Sequence, residues 1–182
     1  MFTSWKDSIQ EQRVIVFELL VEPVRLVAAE CEKVWPARVQ LTQILLSNFG
    51  AMPHCTYMYV MDKQGVQVSD NVSSAGRMPQ HFGRDRSPRP YMKEVRPERD
   101  YVLSDAYISL SAPRPSLTAI RTLYQKGEPV GYLGVDLDLR NLPGTGELYV
   151  EPAQWQQIKG DPSIRGTVFQ QTRVESQLDK DI

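Results

Sequence analysis

The sequence predicts an α+β protein in which helices come first and an antiparallel sheet follows. Three observations carry that expectation. Apolar residues recur at spacings of three and four over residues 4–48, the period of a helix face. From Cys55 onward the pattern changes to aromatic and β-branched runs that alternate. Turn chemistry, Asp62-Lys63-Gln64-Gly65 and Gln125-Lys126-Gly127-Glu128, separates those runs. Runs of helix followed by runs of strand define the class.

The first element is a long N-terminal helix. Ser4 and Asp7 have the spacing of a capping box, with Asp in place of the usual Glu or Gln. Val14, Phe17, Leu20, Val21, Val24, Val27 and Ala28 form its predicted apolar face. Pro23 removes a backbone donor and is expected to kink or split the helix. Trp35-Pro36 marks a firmer break, because a residue before proline is pushed out of the α region. A second helix is expected from Ala37 to Asn48, with Asn48 and Gly50 offering its stop.

The strands follow in order. Thr56–Met61 and Val66–Ser69 read as a hairpin, and 71–76 as a polar loop. Residues 77–99 hold seven basic residues against three acidic ones and four prolines, so they read as an irregular segment with one helical turn near Tyr91–Val95. Tyr101–Leu110, Ser116–Tyr124 and Val130–Leu139 complete a five-stranded antiparallel sheet. A short helix at Pro152–Lys159 is expected in the otherwise polar tail. The domain reading is a helical arm over 1–50, a sheet with a ligand pocket over 51–142, and a C-terminal extension over 143–182.

Composition excludes several functions. At 182 residues, 41% apolar and 24% charged, the chain is long enough for a full core and is not disordered in character. Its formal net charge of −1 gives no general attraction for nucleic acid or anionic membranes. The longest apolar run, Val14–Val21, is interrupted by Glu18 and closed by Glu22 and Pro23, far short of a span. With no secretory signal visible, the expectation is a cytoplasmic chain. Cys31 and Cys55 lie outside any CxxC, and a zinc site would need nearly all of them together with His54 and His81 at unsuited spacings. No metal and no cofactor are expected. One disulfide is possible, but two buried reduced thiols fit a chain of this length better. GxSxG, HExxH, Walker and Rossmann patterns are absent, and His54 beside Cys55 reads as structural because neighbours on a strand point to opposite faces.

Two segments could carry chemistry. Tyr132-Leu133-Gly134-Val135-Asp136-Leu137-Asp138 alternates strictly, with Leu133, Val135 and Leu137 on one face and Tyr132, Gly134, Asp136 and Asp138 on the other. Asp is disfavoured in strands. The pair fits a solvated face, an anchor for an amine or a metal, or a catalytic carboxylate pair. Arg84-Asp85-Arg86-Ser87-Pro88-Arg89-Pro90-Tyr91 sets three guanidinium groups in six residues. Guanidinium forks bind carboxylates in a bidentate manner. The alternatives are a solvated loop with local Asp/Arg pairs, or nucleic-acid binding, which the short patch and neutral chain disfavour. Asp105, Tyr107 and Ser109 share one strand parity and are expected to face one side. An Arg/Tyr group opposite an Asp/Tyr group suits a zwitterion.

The ordered set Arg89-Pro90-Tyr91, Asp105-Ala106-Tyr107 and Gly134-Val135-Asp136, behind a long helix and a D-x-x-G hairpin, resembles the Cache or PDC sensor domains of bacterial receptors. The resemblance covers residues 5–142. It implies a PAS-like fold and ligand binding by residues matched in position. Arg89 and Tyr91 would hold a ligand carboxylate, while Tyr107 and Asp136 would hold its amine. Met92, Arg84 and Ser109 depart from the amino-acid-binding pattern, so the ligand is a small polar metabolite such as an amino acid, amine or carboxylate. The expected site is therefore Arg89, Tyr91, Asp105, Tyr107 and Asp136, in a non-enzymatic sensory module. The partners expected are that ligand, a second copy of the chain docked through the N-terminal helix, and a downstream signalling protein, with no nucleic acid and no membrane span. The rival readings are a ligand-free dimerisation scaffold and a hydrolase using Asp136 and Asp138.

Overall fold

The structure, a computed structural model, describes residues 5–96, 99–110 and 114–142. Helix α1 spans Trp5–Val34 and α2 spans Arg38–Phe49. The strands are β1 (Cys55–Asp62), β2 (Asn71–Ser73), β3 (Gly76–Met78), β4 (Tyr101–Leu103), β5 (Tyr107–Ile108), β6 (Pro115–Gln125) and β7 (Glu128–Asp138). They form one antiparallel sheet in the order β3-β2-β1-β7-β6-β4, with β5 also paired to β6. The class is α+β as expected, but the sheet has seven strands where the sequence suggests five. Ser4, the expected cap, and the expected helix at Pro152–Lys159 lie outside the described residues.

Serine hydroxyls explain two of the extra breaks. Val66–Ser69 pairs with β1 only through an isolated bridge at Gln67 and single bonds such as Val68 N–H to the Val60 carbonyl (2.8 Å). The Ser69 hydroxyl takes the Val60 N–H at 2.8 Å, a ladder position, and the chain turns away into the β2–β3 hairpin at 71–78. Tyr101–Leu110 is cut at Ser104–Ala106, where the Ser104 hydroxyl accepts the Thr118 N–H at 3.0 Å and donates to the Asp105 carbonyl at 2.8 Å.

Helix α1 is not split at Pro23. The bond lost there belongs to the carbonyl of Leu19, and Leu19 is 38% exposed, so water can take that carbonyl. The helix ends at Val34, before the Trp35–Pro36 break. Its buried face is Val16, Leu20, Val24, Val27, Ala28 and Cys31. Val14 and Phe17, expected inside, are 51% and 40% exposed, so the helix sits rotated from the predicted orientation.

Both helices pack on one face of the sheet. Their buried residues join Met58, Val60, Leu117, Ala119, Leu133, Val135 and Leu137 in the main core. Leu133, Val135 and Leu137 are thus on the apolar face that alternation predicts. Opposite them lies a second, smaller cluster built on Tyr59, Met61, Tyr91 and Ile120. Buried Asp70 ties α2 to the sheet edge: its carboxylate accepts from Arg38 (2.9 and 2.6 Å) and Arg77 (2.9 Å).

Candidate ligand-binding site

The face of the sheet away from the helices is built by alternate residues of β1, β6 and β7. Register places Tyr57 and Thr118 beside Asp136, and Tyr59 and Ile120 beside Gly134. Gly134 matters because a Cβ there would overlap the Tyr59 ring. With no side chain in the way, that ring lies across β7 and its hydroxyl reaches Asp136.

The basic segment covers this face, and the first hairpin turn holds it in place. The Asp62 carboxylate accepts the Gln64 and Val66 N–H groups, both at 2.9 Å, which closes the turn. Gly65 follows at φ 84° with the Ser87 backbone against its Cα, a conformation and approach that suit only glycine. Segment 83–86 then pairs alongside: Gly83 N–H to Gln67 O (2.8 Å), Gln67 N–H to Arg84 O (3.0 Å) and Arg86 N–H to Gly65 O (2.8 Å). A 3₁₀ helix over Pro90–Glu94, begun by Pro90, turns Tyr91 inward to 1% exposure.

The hydroxyls of this face converge on one carboxylate oxygen. Asp136 Oδ1 accepts from Tyr59 at 2.8 Å and from Thr118 at 2.7 Å. Each hydroxyl has one proton. Tyr91 therefore donates to the Tyr59 oxygen (3.0 Å), and Tyr107 donates to the Thr118 oxygen (2.6 Å). Burial holds the Tyr59, Tyr91 and Tyr107 phenols above their ordinary range, so they remain protonated donors. Burial also raises the Asp136 carboxyl, against the charges of Arg86 and Arg89 and the bonds from Thr118 and Tyr59. Asp136 Oδ2 has no hydrogen-bond partner among the described residues.

Two arginines meet this network differently. Arg86, 2% exposed, donates to Gln67 Oε1 (2.7 Å) and Asn71 Oδ1 (3.0 Å), and its guanidinium lies 3.7 Å over the Tyr59 ring. A longer contact, 3.4 Å, runs to the Tyr91 hydroxyl. Arg89 is 8% exposed, and its side chain has neither an ion pair nor a hydrogen bond among the described residues. Its charge acts on Asp136 and on the Tyr107 hydroxyl.

Of the five expected site residues, Arg89, Tyr91, Tyr107 and Asp136 are brought together. Asp105 is not. The break at Ser104–Ala106 ends the strand parity that placed it with Tyr107, and its side chain is 77% exposed and paired with Arg13 of α1 at 2.5 Å. Asp138 serves another purpose from Asp136: it is clasped by Arg140 (2.8 Å) and Arg114 (3.6 Å) and accepts the Arg140 N–H that starts the turn after β7. The residues the sequence reading missed are Tyr59, Thr118 and Arg86. Tyr59 and Thr118 could have been found from strand parity opposite Asp136, but nothing sets Arg86 apart from its basic neighbours. Both cysteines are free, and burial pushes the Cys31 thiol up to about 12 and the Cys55 thiol higher still, so neither is primed as a nucleophile.

No family model matches the chain, and no curated protein matches it in sequence. Solved structures do match. An extracellular ligand-binding receptor from Desulfohalobium retbaense superposes with a TM-score of 0.58 at 15% identity, over 73% of this chain and 24% of that one. The ligand-binding domain of the Campylobacter jejuni chemoreceptor Tlp3, in complex with 4-methylisoleucine, gives 0.58 at 14% identity, over 86% of this chain and 70% of that one. The extracellular domain of a putative histidine kinase gives 0.55 at 16% identity, over 72% and 53%. The chain thus spans about a quarter of the first and about half of the third. The neighbours whose location is stated are extracellular, which overturns the expectation of a cytoplasmic chain. That expectation rested on missing apolar segments, and among the described residues no helix is long and apolar enough to cross a membrane. The two helices and the antiparallel sheet share the fold of these ligand-binding sensory domains, as the sequence resemblance to Cache/PDC domains leads one to expect.

Proposed function

We propose that this chain is a small-molecule-binding sensor module whose ligand is held by Arg89, Tyr91, Tyr107 and Asp136. The observation that carries the reading is a pair of unfilled valences on one covered face. The Arg89 guanidinium and Asp136 Oδ2 have no hydrogen-bond partner among the described residues, and their atoms keep some contact with solvent. A ligand with a carboxylate for Arg89 and a cationic or donor group for Asp136 fills both valences with charge-assisted hydrogen bonds. The amino-acid derivative bound by the chemoreceptor domain of the same fold supports that class. The reading is of a binding module rather than a hydrolase, because Asp136 and Asp138 have separate partner sets. Residues 1–50 and 51–142 then act as one sensor unit, with 143–182 as its extension.

A thermal-shift panel of amino acids, polyamines, small carboxylates and purines tests this on the wild type and on Arg89→Ala. Ligand at a hundred times its dissociation constant stabilises by about 2.7 kcal/mol. A shift seen in the wild type and lost in Arg89→Ala is the expected result. A shift kept in the variant moves the site elsewhere, and no shift across the panel favours a ligand-free scaffold.

A further inference from the structure

The charges around the site do not balance. Arg86 and Arg89, at 2% and 8% exposure, both belong to the segment that covers this face. Arg86 spends its hydrogen bonds on the neutral oxygens of Gln67 and Asn71. Neither arginine has a carboxylate within ion-pairing distance among the described residues. Arg84 adds a third, partly buried guanidinium whose one hydrogen-bond contact among the described residues is the His81 ring, at 3.5 Å. Burial first, and then the like charges of Arg89 and Arg86, lower its affinity for a proton. His81 is lowered by burial, then by Arg84 and Arg86, so it stays neutral near pH 7 and adds no charge. Asp85 does not compensate, because it is exposed and its carboxylate takes the Ser87 N–H at 2.8 Å. Asp136 remains as the anion facing the cluster, and protonating it would only widen the imbalance.

We infer that the ligand of this site carries a net negative charge, an amino-dicarboxylic acid being the simplest compound that fits. The inference rests on the reading that Arg89 and Asp136 hold a ligand, and it goes on to name the class. A neutral zwitterion satisfies Arg89 and Asp136 but leaves the Arg84–Arg86 charge uncompensated. A second carboxylate compensates it, while the ammonium group still reaches the open oxygen of Asp136.

Isothermal titration of the full chain with L-glutamate, L-aspartate, L-glutamine and L-asparagine tests the charge with shape held nearly constant. The expected result is binding of an acid about tenfold or more tighter than its amide, the order set by one extra charge at partly screened range. Arg84→Gln removes one positive charge without touching the bonds of Arg86, and it should shrink that preference by weakening the acid more than the amide. An amide that binds as tightly as its acid overturns the inference. The ligand site itself then still stands, provided that binding is lost in Arg89→Ala. If none of the four binds and the broader panel gives no shift either, the site reading fails and the inference fails with it.

Discussion

The two faces of the sheet are made by the same strands yet follow different physics. On the helix side, Leu133, Val135 and Leu137 alternate into a dry aliphatic core with Leu20, Val24 and Leu41. On the loop side, the intervening Tyr132, Gly134 and Asp136 meet tyrosines and arginines. The first face is held by apolar area removed from water, which is non-directional and tolerant of neighbours of similar volume. The second is held by hydroxyls directed at Asp136, where each donor matters and an unfilled valence is a place for a ligand. Stability should therefore reside mainly in the first face and recognition in the second.

The largest effect that sharpens this contrast is expected from Leu133→Ala. Leu133 is fully buried between the helices and the sheet. Its truncation should cost about 2–5 kcal/mol in urea unfolding, as large-to-small core changes do. Ligand affinity measured below the transition should stay close to that of the wild type. A cost under about 1 kcal/mol, within the range of a minor substitution, would mean that the helix side is not the main core.

Thr118→Val makes the corresponding change on the other face, with a smaller effect on stability. It removes one donor to Asp136 and the acceptor that orients the Tyr107 hydroxyl. The expected cost is about 1–3 kcal/mol, the range for a buried group left unpaired. Here the loss of ligand affinity should be the dominant change, because two of the proposed contact residues lose their orientation. Unchanged affinity with the full loss of stability would make this network a structural one.

The two faces also differ in how far the sequence exposes them. The alternation of Leu133, Val135 and Leu137 against Asp136 is legible, because period-two patterning reports which side chains leave water. The placing of Arg89 and Tyr91 near Asp136 is legible too, but only through the resemblance to sensor domains. Local patterning could not show which serines would break the ladder, since Ser69 and Ser104 act through hydroxyls that compete with the backbone. It could not fix the rotation of α1 either: Val14 and Val16 are equally apolar, and only packing on the sheet selects Val16. Arg86 was hidden for a related reason. A buried guanidinium on neutral acceptors has the same sequence signature as a solvated one, and the difference lies in Gln67 and Asn71, brought close by the turn at Gly65.

The smallest expected effect concerns Asp136 and Asp138, two residues apart on β7 with opposite responses to pH. Burial raises the Asp136 carboxyl above its ordinary value, despite its arginines and hydroxyls. The hydrogen bond from Arg140 lowers the Asp138 carboxyl, against burial, with the charges of Arg140 and Arg114 adding to it. For Asp136 the folded state holds its proton more tightly than the unfolded chain does. Its contribution is thus fully present below the unfolded value, about 3.9, and is lost as pH rises through the folded value. Asp138 has the reverse sign: its contribution is present above about 3.9 and is lost as pH falls through its lower folded value. Urea unfolding of Asp136→Asn and Asp138→Asn from acid to neutral pH separates the two. The stability of Asp136→Asn relative to the wild type should improve as pH rises above about 4, the ordinary carboxylate value. That of Asp138→Asn should instead worsen as pH rises from the lowered folded value to about 4 and then stay level, modestly, because Arg140 and Arg114 are about half exposed and solvent screens them. A curve for Asp136→Asn that runs parallel to the wild type would mean that Asp136 is as well solvated as a surface carboxylate, and the contrast between the two faces would then lose its electrostatic half.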